Sequence, residues 1–391
     1  MSYRVAVILH QTVPWLSQCV DGIRSYVQQE EADWSLIHLS PGFQRFQSIP
    51  SLPRSQQWKG DGIISLVDEA KELRAATKGK IPVVNLGSWN EKSFGIRRVM
   101  VDHHRGGEMA AEHLLGLGLR QFAVFGWSDA WYQRERQRGF CERACRSGIH
   151  CIVQTESSRH AGEKSWFQRI TQAVRWIKTL PRPCGIFVVH DYMAQLIAEA
   201  CHEAGFQVPD DVSLISMDND EAICEHLVPK LTSIDRSSFQ VGWEAAALLD
   251  RLMRGEICEK DDVLVPPQGI VSRASTGKLY SSDPLVQQAL DTMQKLLQTP
   301  FNIEQLSEDL GVSKKTLELG FREHLQTSPH HFLTTLRVRK AQELIRLEPK
   351  KTLEQIAEES GLGSAQVLRK AFQRVIGESI SSFRKSVSAS L

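Results

Sequence analysis

Hydrophobic and polar residues alternate in blocks over roughly the first 270 residues of the chain. Short apolar runs predict buried strands at Val5–Leu9, Gly62–Val67, Ile81–Leu86, Gln121–Phe125, Cys184–Val189 and Val212–Met217. Amphipathic segments between them predict helices at Ser17–Gln29, Arg105–Leu117, Trp131–Ser147, Glu163–Thr179, Tyr192–Ala204 and Phe239–Arg254. Strands that alternate with helices favour parallel α/β sheets, and the length of this stretch predicts two similar lobes.

The pattern changes near the C-terminus, where two similar helical units follow one another at about 303–322 and 353–374. Each unit has a short helix with apolar residues three and four positions apart, and then a glycine, Gly311 or Gly361. Glycine ends a helix readily because it adopts the left-handed conformation of a sharp turn. A serine, Ser313 or Ser364, then suits the N-cap of a second helix. The alternative is a plain helical bundle, but two copies in register favour paired helix-turn-helix motifs and an all-α domain.

The second helix of such a motif lies in the major groove of DNA. The side chains expected to face DNA lie opposite the apolar residues of that helix. They are Lys314, Lys315, Glu318 and Arg322 in the first unit, and Ala365, Gln366, Arg369 and Lys370 in the second. Glutamine pairs with adenine edges, and arginine or lysine with guanine, whereas contacts to phosphate position the protein without reading sequence.

This C-terminal stretch resembles the DNA-binding domain of AraC/XylS-type transcription regulators. The segments that carry the resemblance are the two units, the connecting segment Ser328–Ile345 and the residues Leu368–Arg384. Two departures are visible: Ile380 stands where the family has proline, and Val367-Leu368 replace an aromatic pair. We expect both departures to affect core packing more than contacts with the groove.

The earlier part of the chain resembles LacI/GalR-type sensor domains. The matching segments are Val101–Gly107, Gly205–Asn219 and Leu231–Asp235. The resemblance implies two α/β lobes with a ligand cleft between them, as in periplasmic sugar-binding proteins. The LacI group carries a DNA-binding headpiece at its N-terminus, and no such headpiece precedes Val5 here.

A LacI-like sensor followed by an AraC-like reader is similar to the order found in xylose operon regulators. The segments Trp176–Pro181, Met217–Glu221 and Val263–Pro267 also resemble that group. The expected division is a sensor at 1–276, a linker at 277–284 and a DNA-binding domain at 285–391.

Composition is that of an ordinary globular protein, with a formal net charge of +1 over 391 residues. Residues 284–391 hold 15 Lys+Arg against 12 Asp+Glu, a weak basic excess that matters because cations cluster on the presumed groove helices. The sequence shows no membrane span and no signal peptide, so we expect a cytoplasmic protein. The eight cysteines are scattered without a Cys-x-x-Cys pair, and we expect free thiols, no metal and no cofactor.

Ligands collect at the carboxyl ends of strands in open α/β sheets. Asp218 and Asn219 follow the run Val212–Met217, where the LacI-type pattern places a ligand-binding aspartate. Arg136 precedes Gly139 at the spacing of the sugar-binding arginine of that family. Carboxylates and guanidinium groups grip neighbouring sugar hydroxyls with charge-assisted hydrogen bonds.

Four further residues complete the expected effector site. His190 and Asp191 follow the run Cys184–Val189, and Asp191 either binds ligand or caps the next helix. His10 and Trp15 follow the first strand, and Trp15 either stacks on a sugar ring or packs between the lobes.

The resemblances together imply a sugar-responsive transcription regulator that is not an enzyme. Its expected partners are operator DNA, a pentose effector such as D-xylose, a second copy in a homodimer and RNA polymerase, because AraC-type readers activate by recruiting polymerase. Alternatives are another sugar, repression instead of activation, or a sugar-metabolising enzyme with a helical accessory domain. A phosphate-binding glycine loop and a nucleophile turn, which would favour an enzyme, are missing from the sequence.

Overall fold

The computed structural model describes residues 2–10, 12–38, 59–68, 81–158, 163–256, 262–299 and 301–388. In chain order, the strands are β1 (Tyr3–Ile8), β2 (Trp34–His38), β3 (Gly62–Ser65), β4 (Val83–Asn85), β5 (Arg97–Val101), β6 (Phe122–Trp127), β7 (Cys151–Glu156), β8 (Cys184–Val188), β9 (Val212–Asp218), β10 (Thr232–Asp235), β11 (Asp262–Val265) and β12 (Gly269–Val271). The helices are α1 (Pro14–Gln29), α2 (His103–Leu115), α3 (Trp131–Cys145), α4 (Trp166–Ile177), α5 (Asp191–Ala204), α6 (Glu221–Cys224), α7 (Ser238–Met253), α8 (Pro284–Lys295), α9 (Ile303–Asp309), α10 (Lys314–Leu325), α11 (Pro329–Leu347), α12 (Leu353–Glu359), α13 (Ala365–Ile376) and α14 (Ile380–Ser388).

The first 276 residues form two α/β lobes, each built on one sheet. Lobe 1 has the strand order β11-β5-β4-β3-β1-β2, and lobe 2 has the order β12-β10-β9-β8-β6-β7. Among the described residues, every strand pairing is parallel except that of β10 with β12. The chain passes between the lobes after β5, after β10 and after β11, so these three crossings link the lobes. Each predicted apolar run overlaps a strand and each predicted amphipathic segment overlaps a helix, which confirms the predicted two-lobed fold.

The apolar runs did not predict β2, β5, β7, β10, β11 and β12. For the edge strands β2 and β7, exposure explains why. A strand with a single neighbour lies at the rim of its sheet, where side chains need not be apolar on both faces. In β7, Ile152, Val153 and Thr155 are exposed, so the segment lacks the continuous buried run that marks the central strands.

The helical region contains the two predicted helix-turn-helix units. The first unit consists of α9 and α10, and the second consists of α12 and α13, with the long helix α11 between them. Gly311 and Gly361 lie in the turns with φ of +66° and +75°, which glycine adopts without strain. Ser313 and Ser364 are the N-caps of α10 and α13, as predicted.

The hydrophobic core crosses the predicted boundary between sensor and reader. Leu317 and Phe321 of the first unit belong to one continuous apolar cluster with residues of α8 and of lobe 2. The second unit has a separate cluster, built from α11, α12, α13 and α14. The division at residues 277–284 therefore remains a prediction about the chain, because the packed core does not stop there.

Candidate effector cleft and nucleic-acid interface

Close packing of α2 on α3 places the central charged side chain of the cleft. A Cβ atom on Gly107 would lie 2.0 Å from the Arg136 carbonyl oxygen, and one on Gly139 would lie 2.0 Å from the His104 carbonyl oxygen. The two glycines therefore let the helix backbones approach to a distance that no other residue type permits. As a result, His103 at the start of α2 lies against Arg136 of α3.

Arg136 is completely buried and held from three sides. Its Nε donates to His103 Nδ1 at 3.2 Å, and its Nη2 donates to Asp218 Oδ1 at 2.8 Å. Its Nη1 donates to the Val189 carbonyl oxygen, and the guanidinium lies 5.2 Å from the centre of the Tyr132 ring. These contacts fix the guanidinium plane, which suits it to bidentate recognition of a ligand.

Asp218 is the carboxylate around which the cations gather. Arg236 Nη1 lies 3.5 Å from Asp218 Oδ1, and His190 Nε2 lies 3.1 Å from Oδ2. Burial by itself raises the pKa of the Asp218 carboxyl, but the charges of Arg136, His190 and Arg236 outweigh it, so the pKa lies below its ordinary value. Asp218 also has φ of +129°, a strained conformation of the kind that collects at functional sites.

Two polar atoms of this cluster are buried without a hydrogen-bond partner among the described residues. They are Asp218 Oδ2, an acceptor, and Arg236 Nε, a donor. His190 is close enough to Asp218 Oδ2 for an ion pair, but the angles are not those of a hydrogen bond. A hydroxyl group both donates and accepts, so it is the kind of group that could satisfy both atoms at once.

His103 takes part as a neutral ring. Burial and the nearby charges of Arg136, Arg236 and Arg98 hold the pKa of His103 well below its ordinary value. Because Nδ1 accepts from Arg136, the proton resides on Nε2, which lies 3.1 Å from Ser88 Oγ of lobe 1. The ring therefore bridges the two lobes. The sequence analysis did not place His103 in the effector site.

Lobe 1 contributes aromatic and polar side chains to the cleft. The Arg236 guanidinium lies 3.9 Å from the centre of the Trp15 ring, and stacking of this ring on a sugar stays a prediction. His10 lies two residues beyond β1 at the same edge of the sheet. Trp89 of lobe 1 also contacts the rings of Trp127 and Tyr132 of lobe 2, an aromatic cluster that the sequence analysis did not predict.

Two of the predicted effector residues are used by lobe 2 itself. Asp191 is completely buried, and its carboxylate accepts hydrogen bonds from the hydroxyls of Ser216 and Ser233 and from the backbone nitrogen of Asp220. It lies in the first turn of α5, where the N-cap is His190. These contacts hold the carboxyl end of β9 in place, so they support a positioning role for Asp191. Direct contact between Asp191 and an effector stays a prediction.

Asn219 is held in the same way. Its side-chain oxygen accepts from Arg273 Nη2 at 3.0 Å, and its side-chain nitrogen lies 3.4 Å from Asp235 Oδ2. Of the predicted effector residues, the structure therefore brings Arg136, Asp218 and His190 together.

Arg236, which the sequence reading missed, completes this charged cluster. The available signal was its position directly after β10, at the same edge of the sheet as Asp218.

On the two groove helices, most predicted DNA-facing residues are accessible. Exposed side chains are Lys314, Lys315, Arg322, Gln366, Arg369 and Lys370, and Glu318 is half-buried. The prediction for Ala365 is wrong, because it is buried at the first position of α13, only 8% exposed. The side chain of a first-turn residue leans back toward the preceding turn, which here is packed.

Two exposed apolar side chains on these helices were also missed. Leu319 of α10 is 57% exposed and Val367 of α13 is 49% exposed. The expectation that Val367 acts in core packing is therefore wrong, whereas Leu368 is buried as expected. An apolar side chain on a groove helix can contact the methyl group of thymine.

Two other classes of feature are missing from the described residues. No helix there is long and apolar enough to cross a bilayer. Within the same ranges, no group of three or more histidine, cysteine or acidic side chains is arranged to hold a metal ion.

Comparison with known proteins matches both halves of the chain. Residues 111–276 match the model of a periplasmic binding protein-like domain, and residues 306–386 match that of a helix-turn-helix domain. The xylose operon regulatory protein of Haemophilus influenzae is 25% identical over 378 residues, which cover 95% of each chain. Its counterpart in Escherichia coli K12 is 24% identical and covers 95% of this chain and 94% of that protein.

Solved structures show the same fold. One described as that of a xylose-binding transcription activator has a TM-score of 0.61 at 23% identity and covers 98% of each chain. A LacI family regulator from Enterococcus faecium with bound ribose has a TM-score of 0.55 at 24% identity and covers 71% of this chain and all of the other. The chain is therefore a DNA-binding transcription regulator, homologous to the xylose operon regulatory proteins, that joins a periplasmic binding protein-like sensor domain to an AraC-type helix-turn-helix domain.

Proposed function

We propose that the chain binds a neutral sugar between its lobes and uses the binding energy to change how it reads DNA. D-xylose is the proposed effector, since the similar regulators are named for xylose. The observation that carries the proposal is the cluster of Arg136, Asp218 and Arg236, with one buried acceptor and one buried donor unsatisfied. A sugar with vicinal hydroxyls supplies the missing donors and acceptors.

The contact between the sensor and the reader supplies a route for the signal. Arg346 of α11 donates to the carbonyl oxygens of Gln268 and Ile270. Gln268 belongs to the segment that carries the chain from β11 of lobe 1 to lobe 2, and Ile270 lies in β12, where that segment ends. A change in the angle between the lobes would move this segment and displace α11 with it. Because α11 leads into the second helix-turn-helix unit, that unit would change position too.

A sugar can shift this arrangement only if it binds one arrangement of the lobes more tightly than the other. We propose that the chain forms a homodimer, and that closure of the lobes around the sugar positions the DNA-binding domain of each subunit on one operator half-site. Activation through contact with RNA polymerase is the proposed outcome, and repression is the alternative.

The proposal is tested by thermal denaturation of the purified chain with a panel of sugars, followed by gel shifts with its own promoter fragment. We expect D-xylose to raise the melting temperature, since a ligand at 100 times its Kd stabilises the folded state by about 2.7 kcal/mol. Asp218→Asn should abolish that rise and leave operator binding measurable. Asp21→Asn, a matched change at an exposed ion pair on α1, should leave the rise intact.

Three results would count against the proposal. An unchanged sugar response in Asp218→Asn would remove Asp218 from the effector site. Indifference of the wild-type chain to every sugar, together with no binding to the promoter, would overturn the function. If NMR spectra of the incubated mixture show that the sugar is converted to another compound, the enzyme alternative would be favoured.

A further inference from the structure

A second cavity, separate from the cleft between the lobes, lies between the sensor and the DNA-binding domain. Its volume is about 560 Å³, within the range of small-molecule sites. Three parts of the chain form its walls: α2 of lobe 2, the inter-lobe segment 266–272, and α11 with the ends of α13 and α14. A molecule in this cavity would therefore touch the sensor, the crossing between the lobes and the second reader unit at once.

Arg339 of α11 is the unusual group on the wall. Its guanidinium lies against Gly116 at the end of α2, where a Cβ atom would be 2.3 Å from Nη2. Among the described residues, Arg339 takes part in no hydrogen bond and no ion pair, although burial lowers its pKa. The side chain is half-buried, and its five N–H donors remain available to an acceptor that enters the cavity.

The remaining charges of the wall do not neutralise Arg339. Glu112 is paired with Arg105 and Arg143, and Glu343 is paired with Lys340. These pairs leave the two acidic groups already engaged with other cations.

The wall holds a second guanidinium group without a carboxylate in contact. Arg346 has only backbone carbonyl oxygens as hydrogen-bond acceptors, so its charge is not balanced by a carboxylate in contact. Burial and the charge of Arg339 lower the pKa of His113 to about 3, so His113 adds no charge. Arg105, the third arginine of the wall, is already paired with Glu108 and Glu112. Among the described residues, Glu378 is the remaining carboxylate of the wall.

We propose that this cavity binds a small anion with a phosphate or carboxylate group, held by Arg339 with Arg346 beside it. Guanidinium groups bind such groups through paired, charge-assisted hydrogen bonds. Pro266, Pro267 and Phe383 provide an apolar surface for the rest of the molecule. Because the walls come from both the sensor and the DNA-binding domain, the affinity for the anion depends on how these two parts are arranged. If binding of the operator changes the affinity for the anion by some factor, the anion changes the affinity for the operator by the same factor. The site is separate from the proposed sugar site and does not rest on it.

The test is calorimetric titration of the full chain with inorganic phosphate and, separately, with citrate, at constant ionic strength. The two probes distinguish a phosphate from a carboxylate site. We expect saturable binding of at least one probe, and a Kd about tenfold weaker or more in Arg339→Gln, as the loss of a charge-assisted bond implies. Gln342→Phe, which fills the cavity from another wall residue, should weaken the same binding. Arg369→Gln removes an exposed cation from α13 and should leave the binding unchanged.

Four outcomes would overturn the proposal. The first is no saturable binding to the wild-type chain. The second is equal binding by a folded Arg339→Gln variant. The third is loss of binding in Arg369→Gln alone, which would place the anion on the DNA-facing surface. If Arg339→Gln does not fold, unaltered binding by Gln342→Phe would be the fourth. A gel shift with the promoter fragment provides the linkage readout, since the bound probe should change operator affinity in the wild-type chain and not in Arg339→Gln.

Discussion

The two helix-turn-helix units have the same local architecture but different relations to the rest of the chain. The first unit shares its core with lobe 2, and a Cβ atom on Gly118 would lie 3.2 Å from Leu325 of α10. The second unit packs on its own cluster. Helix α11 joins the two clusters, because Phe332 and Leu333 lie in the first and Val338–Ile345 contribute to the second, and Arg346 at its far end contacts the sensor. Burial of a shared apolar core is cooperative, whereas a few polar contacts can break and re-form. The difference indicates that the first unit is anchored and the second is the part that a signal can move.

The two helix-turn-helix units also differ in the charge of their groove helices. Helix α13 carries Arg369, Lys370 and Arg374 without an acidic residue, while α10 carries two acidic residues beside its cations. Lys314 of α10 is, in addition, bonded to Glu304. The second unit is thus better suited to attract phosphate, which makes its position important for affinity.

The largest expected effect comes from removing the central aromatic side chain of each core. Phe321 and Phe372 are both completely buried, and replacing either with alanine should cost about 3–5 kcal/mol of unfolding free energy. Phe321→Ala should lower the melting temperature of the sensor as well, because the core is shared. Phe372→Ala should open the second unit and leave the sensor transition in place. Hydrogen exchange with mass spectrometry distinguishes the two patterns, and equal loss of sensor protection in both variants would contradict the comparison.

The next effect concerns the coupling between sugar and DNA. Arg346→Ala should remove most of the coupling free energy, which is typically about 1–3 kcal/mol, and keep each single affinity close to its wild-type value. Arg337→Ala is the matched control, because Arg337 lies on the same helix and also donates to backbone carbonyls, all of them within the reader. Operator Kd is measured with and without sugar. Full coupling in Arg346→Ala would show that the signal takes another route.

The smallest expected effect is that of single phosphate-facing cations. Lys370→Ala should weaken operator binding by about 1 kcal/mol and reduce the salt dependence by about one counterion, without changing sugar affinity. Lys314→Ala should have less effect, since Glu304 already balances that charge. Fluorescence anisotropy at several salt concentrations measures both variants. A larger loss in Lys314→Ala would reverse the assignment of the two units.

Local patterns were sufficient for the elements and for part of the site. The central strands are recognisable because burial on both faces demands continuous apolar runs. The reader turns are recognisable because Gly311 and Gly361 meet a conformational requirement that few residues satisfy. Arg136 and Asp218, 82 positions apart, were both predicted from short motifs, and their side chains meet at 2.8 Å.

Contacts between distant segments were beyond the reach of such patterns. The direction of a side chain at a strand end depends on backbone angles that neighbouring elements impose, which is why Asp191 bonds within lobe 2 while Asp218 faces the cations. Ala365 lies in the predicted helix, but the packing of the preceding turn buries it.

The amino-acid sequence alone indicated the alternation of strands and helices, the two helix-turn-helix units and the family resemblance, because each depends on spacing over a few residues. Only the tertiary structure decided that one reader unit shares the core of the sensor, that Arg236 stacks on Trp15, and that Arg339 faces a cavity. These features depend on which surfaces pack against each other. The free energy of that packing depends on pairs of segments that are far apart in the chain, and no local pattern contains it.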